Sequence, residues 1–113
     1  MGSTKPLSVA ALSNDYEKSR AEMRRKYDGK EIIVVGYAAT EATMPKPGQD
    51  QGSVLLTEKD RSQGHRVICW FTREQMREFS RVTASELLTV KGVFNGETSL
   101  ELRFCELISI ERG

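Results

Sequence analysis

Hydrophobic and polar positions follow two different periods along this chain, and the switches between them mark out its elements. From Ser8, the apolar residues Val9, Leu12, Tyr16, Met23 and Tyr27 recur at helical spacing. That spacing predicts one helix with a single apolar stripe. Its other face carries Glu17, Lys18, Arg20, Glu22, Arg24, Arg25 and Lys26. Asp28-Gly29 ends it, since glycine readily takes the left-handed backbone just past a helix. The period then falls to two. Glu31 to Ala39 reads as a first strand, and Thr40 to Gly52, with Pro45, Pro47, Gly48 and Gly52, as a loop. Ser53 to Thr57 is a second strand, followed by a polar turn from Glu58 to Gly64. His65 to Phe71 alternates as a third, with Val67, Cys69 and Phe71 on one face and Ile68 and Trp70 on the other.

Thr72-Arg73-Glu74-Gln75 has the spacing of a capping box, opening a short helix that turns Met76, Phe79 and Val82 inward. Leu87 to Phe94 is the fourth strand, and Asn95-Gly96 predicts a tight hairpin into a fifth, Thr98 to about Ile110. Leu100, Leu102 and Phe104 share one face of that strand. The apolar positions then shift to Cys105 and Leu107, as a bulge near Phe104 produces. Residues 1–6 read as a disordered lead and 7–113 as a single domain. Gly36 and Gly92 interrupt two β-branched runs, and such bends let strands coil into a closed barrel. A helix between the third and fourth of five strands is the arrangement of an OB-fold. The expected class is therefore mainly β: a five-stranded Greek-key barrel with an added N-terminal helix.

Composition narrows the picture further. A chain of 113 residues, 38% hydrophobic and 29% charged, can bury a core without metal or disulfides. Lys and Arg total 17 against 16 Asp and Glu, a net charge of +1. Proteins that depend on many phosphate contacts carry a basic surplus, so any basic face here is balanced by an acidic one. No apolar run is long enough to span a membrane. The Met1–Pro6 start lacks the apolar centre of a secretory signal. Two locations fit: the cytoplasm, or the periplasm or envelope for a chain from which a signal has been removed.

Several short motifs recur in a characteristic order. They are Leu12-x3-Tyr16, Tyr27-x-Gly29-Lys30, Val34-x-Gly36, Val67-x-Cys69-x-Phe71, Thr89-Val90-Lys91-Gly92 and Leu102-x2-Cys105. From about Leu7 to Ile110 the chain thus resembles the bacterial tRNA-anticodon-like (tRNA_anti-like) OB-fold family. It departs from that pattern at Ser19 and Met23, where Asn and Ala are expected. Ala84-Ser85 also stands where a glycine commonly precedes the fourth strand. The resemblance implies the fold, and its members often follow a signal or lipoprotein segment. The likeness to anticodon-binding domains is an analogy of fold, not evidence of RNA binding.

The candidate chemistry points to binding. In an OB barrel the third and fifth strands are neighbours, so Cys69 and Cys105 are either a disulfide or two buried thiols. The compartment decides between them. With His65 the only histidine and no CxxC, no metal site or cofactor is expected. Trp70, the sole tryptophan, is either a stacking platform for a base or, the favoured placement, a partner with Ile68 for the helix stripe. Arg73, Arg77 and Arg81 form a stripe, but Glu74 and Glu78 interleave, as on a solvated helix face. No catalytic triad or phosphate cradle can be drawn. The expectation is a non-enzymatic binding module that takes single-stranded nucleic acid at Trp70, Lys59, Arg61, His65 and Arg66. The alternative is a protein-interaction or structural domain of the bacterial cell envelope, stapled by Cys69 and Cys105. Nothing in the sequence sets the oligomeric state.

Overall fold

Two serines shape the start of the chain. In the computed structural model, which describes residues 6–58, 66–97 and 99–111, Ser8 opens helix α1 (Val9–Lys18) by accepting from the Ala11 N–H at 3.0 Å. Ser19 opens a second helix, α2 (Arg20–Tyr27), by accepting from the Glu22 N–H at 3.2 Å. The single helix expected from the stripe is therefore two. Ser19 is extended, at φ −161° and ψ 103°, and its hydroxyl offers the backbone an alternative to continuing the turn. The stripe survives the break, with Val9, Leu12 and Met23 all buried in the core. Ser19→Ala is expected to cost about 1 kcal/mol, seen as a lower urea midpoint at unchanged slope.

Ahead of α1, a two-residue strand β1 (Leu7–Ser8) lies parallel to Val34 and Val35. So short a strand has no periodicity to read. Most of the expected disordered lead, residues 1–5, lies outside the described residues.

Five longer strands form the barrel: β2 (Glu31–Ala38), β3 (Gln51–Thr57), β4 (Val67–Thr72), β5 (Leu87–Asn95) and β6 (Glu101–Glu111). Their order is β2-β3-β4-β6-β5, and pairing of β2 with β5 closes the ring. All these pairs are antiparallel except β4–β6, giving the closed, mixed barrel of an OB-fold. Alternation sends Val34, Val54, Leu56, Val67, Phe71, Leu88, Val90 and Leu102 into one core. Gly36 sits where one edge of β2 changes partner from β1 to β3. A Cβ there would stand 2.5 Å from Val9 Cγ2, so the glycine lets α1 settle directly on β2.

After β4 the expected capping box does not form. Thr72 makes no side-chain cap bond, because it still pairs with Gln51 in the sheet. The chain instead turns through a 3-10 segment, Arg73–Gln75, into the short helix α3 (Met76–Phe79). As expected, Phe79 and Val82 are buried, and Phe79 stacks on Phe71 with centroids 4.3 Å apart.

The predicted tight Asn95-Gly96 hairpin is also corrected. β5 runs to Asn95, which pairs with Glu101, so five residues connect the strands. Neither Asn95 nor Gly96 has the positive φ of a tight hairpin turn. Contacts from the leading helices override the local preference. Asp28 Oδ1 accepts from the Gly96 N–H at 2.8 Å, and the Arg20 guanidinium donates to the Gly96 and Glu97 carbonyls.

The bulge in β6 is present, but its faces differ from expectation. Between the pairs Val93↔Arg103 and Lys91↔Glu106, both Phe104 and Cys105 oppose Gly92. Phe104 takes φ +55° and is 65% exposed, whereas Cys105 turns into the core.

Candidate nucleic-acid interface

The register of β3 and β4 decides which side chains face outward. Val54↔Cys69 and Leu56↔Val67 point into the core, so Ser53↔Trp70 and Leu55↔Ile68 form the outer surface. On the other side of β4, parallel pairing aligns Ile68 with Glu101 and Cys69 with Leu102. Arg103 is then the next position on β6 opposite Trp70. The outer surface thus carries Ser53, Trp70 and Arg103 in one row around the barrel.

Trp70 is half-buried, and its indole N–H donates to Glu101 Oε1 at 3.0 Å. The other carboxylate oxygen accepts from the Ser99 hydroxyl at 3.1 Å, so the carboxylate that holds the ring is itself fixed. The favoured placement beneath the leading helix is not what the fold adopts. The stripe of α1 and α2 joins the barrel core through Val9, Leu12 and Met23, and the helices pack on β2 and β5. Ile68 and Trp70 lie outside that core. Arg66, just before β4, is exposed. Lys59, Arg61 and His65 lie outside the described residues, so of the five expected ligand contacts the structure places Trp70 and Arg66.

The β2–β3 loop borders this face and is pinned from below. Thr43 and Ser53 exchange backbone hydrogen bonds of 2.7 and 3.0 Å. Arg73 donates to the Gln49 and Lys46 carbonyls, both at 3.0 Å. One member of the arginine stripe thus buttresses a loop, and Arg81 pairs with Glu78 at 3.7 Å. The sequence reading missed both Arg73's role and Arg103. The only signal for Arg103 is its offset from Leu102, and that has meaning only once β4 and β6 are known to pair.

Cys69 and Cys105 are both buried and unbridged. The bulge that expels Phe104 is what turns Cys105 towards Cys69. A hydrogen bond to Cys105, together with burial, pushes the Cys69 thiol well above its ordinary value of 9.0. A thiol whose pKa is raised by folding stabilises the fold below its unfolded value. That contribution is lost as pH rises through the ordinary thiol range towards the folded value. Two results are therefore expected of the reduced protein: slow reaction with a thiol reagent at pH 8 until it unfolds, and urea stability that declines above about pH 9. Rapid labelling of the folded state would contradict this packing.

Among the described residues no cluster of three or more His, Cys, Asp or Glu side chains could hold a metal ion. No helix among them is long and apolar enough to cross a membrane.

Comparison with known proteins bears on the whole domain. A family model, tRNA_anti-like, matches residues 1–101. No curated protein matches the chain in sequence. Among solved structures it is similar to a Klebsiella pneumoniae subsp. pneumoniae lipoprotein proposed to bind nucleic acid. The TM-score is 0.77 at 15% identity, over 94% of this chain and 92% of that one. It is also similar to an OBody bound to hen egg-white lysozyme, with TM-score 0.61 and 16% identity over 83% and 91% of the two chains. A Leishmania major protein proposed to be an aspartyl-tRNA synthetase matches at TM-score 0.58 and 13% identity. That match covers 98% of this chain but 22% of the synthetase.

Proposed function

The chain belongs to the tRNA_anti-like family, and from that premise we propose that it is a non-enzymatic OB-fold module for single-stranded nucleic acid. The strand lies across the outer face of β3 and β4. The observation that carries this reading is Trp70, an aromatic on the outside of the barrel whose indole N–H is already tied to Glu101. Its orientation is fixed before a ligand arrives, so little further ordering is needed when a base stacks on it. Base–aromatic stacking contributes about 1–3 kcal/mol per base and tolerates any sequence. Arg103 supplies charge on the neighbouring strand and Arg66 lies exposed just before β4, and Lys59, Arg61 and His65, which fall between β3 and β4 in the sequence, are proposed to add to it. Descriptions of the Klebsiella and Leishmania proteins support the same ligand class.

Near-neutral net charge limits the footprint. Three phosphate contacts on a single strand give a slope of about −2 in log affinity against log salt. The test is a titration of a fluorescently labelled mixed-sequence single strand at several salt concentrations, with Trp70→Ala alongside. The expected result is salt-sensitive binding that weakens by about tenfold in the variant. No binding even at low salt would overturn the reading.

A second reading is favoured by two observations. One structural relative is an OBody bound to hen egg-white lysozyme, and another is a lipoprotein. On this reading the domain is a protein-interaction or structural module of the envelope, with Cys69 and Cys105 oxidised to a disulfide. Loss of both free thiols in protein recovered from the periplasm, together with no oligonucleotide binding, would favour it.

A further inference from the structure

Phe104 combines two features that a stable fold avoids. Its backbone is in the left-handed region at φ +55°, an outlier for a bulky side chain. Its ring is also 65% exposed, so burial does not compensate for the strain. Strained residues of this kind concentrate where a ligand is held. The residue sits one position beyond Arg103, and Arg103 and Trp70 each directly follow the last paired positions of their strands, Leu102 and Cys69. The Arg103 backbone pairs with Val93, but among the described residues its guanidinium makes no ion pair or hydrogen bond.

The surroundings of the ring give a strand a direction. Phe104 stands between two hollows. One, of about 360 Å³, lies between α2 and the β5–β6 connection, and Arg24, Val93, Asn95, Glu97 and Arg103 are among its lining. The other is lined by Glu31, Glu74 and Glu106, with Lys91 held by Glu106 at 3.2 Å and Glu31 at 4.0 Å. Phosphate is repelled from the second hollow. In the first, Arg24 is engaged by Asp28 at 2.8 Å, while the Arg103 guanidinium remains available to a phosphate.

We propose that Phe104 is a second stacking platform for an unpaired base, with Arg103 contacting the phosphate between that base and the one on Trp70. This rests on the reading of the Trp70 face as a nucleic-acid site and extends it from β4 across β6 towards α2. The ligand is then a single strand long enough to cover both rings, entering or leaving on the Arg103 side of Phe104.

The test uses the labelled mixed-sequence strand and a series carrying one abasic position each, against the full chain and four variants. Phe104→Ala is expected to weaken binding by about tenfold without changing the melting temperature or the salt slope. Phe104→Tyr should bind as the wild type does. Arg103→Gln is expected to make the salt slope shallower by about 0.7, a change that a merely structural role would not produce. One abasic position should weaken binding to the wild type and to Trp70→Ala but cause no further loss in Phe104→Ala. If Trp70→Ala loses affinity while Phe104→Ala binds like the wild type, the second platform is overturned and the Trp70 reading stands. If the wild type itself binds no strand, the Trp70 reading fails and the second platform fails with it.

Discussion

Gly52→Ala is expected to destabilise the barrel by about 3 kcal/mol and to lower the melting temperature by more than about 10 °C. A Cβ at this position would collide with the carbonyl oxygen of Thr43 and stand 2.6 and 2.8 Å from two carbons of the Phe71 ring. Neither neighbour can yield cheaply. The Thr43 carbonyl accepts from the Ser53 N–H, the bridge that ties the β2–β3 loop to β3. Phe71 is fully buried and lies flat on Phe79. Packed cores respond to one added methyl by shifting backbone or forcing rotamers, and both costs fall here at once. A thermal melt within two or three degrees of the wild type (roughly 0.5 kcal/mol) would show that the loop is not packed against β3 in this way.

Phe79→Ala is expected to cost more, about 4 kcal/mol. That is a large part of the 5–15 kcal/mol typical of a whole domain. Phe79 comes from a helix of only four residues, too short to be stable by itself, so its attachment depends on the buried ring. Removing the ring opens a cavity against Phe71 and takes away the contact that anchors α3. Urea unfolding at unchanged slope measures the loss. The two substitutions share Phe71 and should not add. Once the Phe79 ring is gone, Phe71 has room to move away from a methyl group at position 52. Gly52→Ala should then cost less in the Phe79→Ala background than in the wild type.

These residues also show what can be read from the sequence. The barrel was legible because period two is unambiguous where one face is buried. Val67, Cys69 and Phe71 point inward as the alternation requires. Helix starts were less legible, and two similar patterns show why. Ser19-Arg20-Ala21-Glu22 and Thr72-Arg73-Glu74-Gln75 both have cap spacing, yet only Ser19 caps a helix. Thr72 is still paired in a strand, a tertiary fact that the four residues do not contain. Asn95-Gly96 failed as a hairpin for a similar reason, since Asp28 and Arg20 reach it from another part of the chain.

Less of the candidate site was visible. Trp70's outward direction followed from alternation, but its partner did not. An apolar stripe on a helix shows that it needs a surface without showing which side of the barrel supplies one. The shift of pattern after Leu102 marked a bulge correctly. It could not say that Phe104 would be the residue turned out, because either of two adjacent residues can occupy that position. Arg103 drew no attention for lack of the β4–β6 register.

The central claim is that Trp70 is the surface on which a nucleobase stacks. As the sole tryptophan, it makes the protein's own fluorescence a direct report of that site. The most direct test is a titration with an unlabelled mixed-sequence single strand, following indole emission at low and moderate salt. The account predicts saturable quenching whose midpoint moves to higher strand concentration as salt is raised. Emission that stays unchanged at low salt, through concentrations well above the micromolar range, would contradict it.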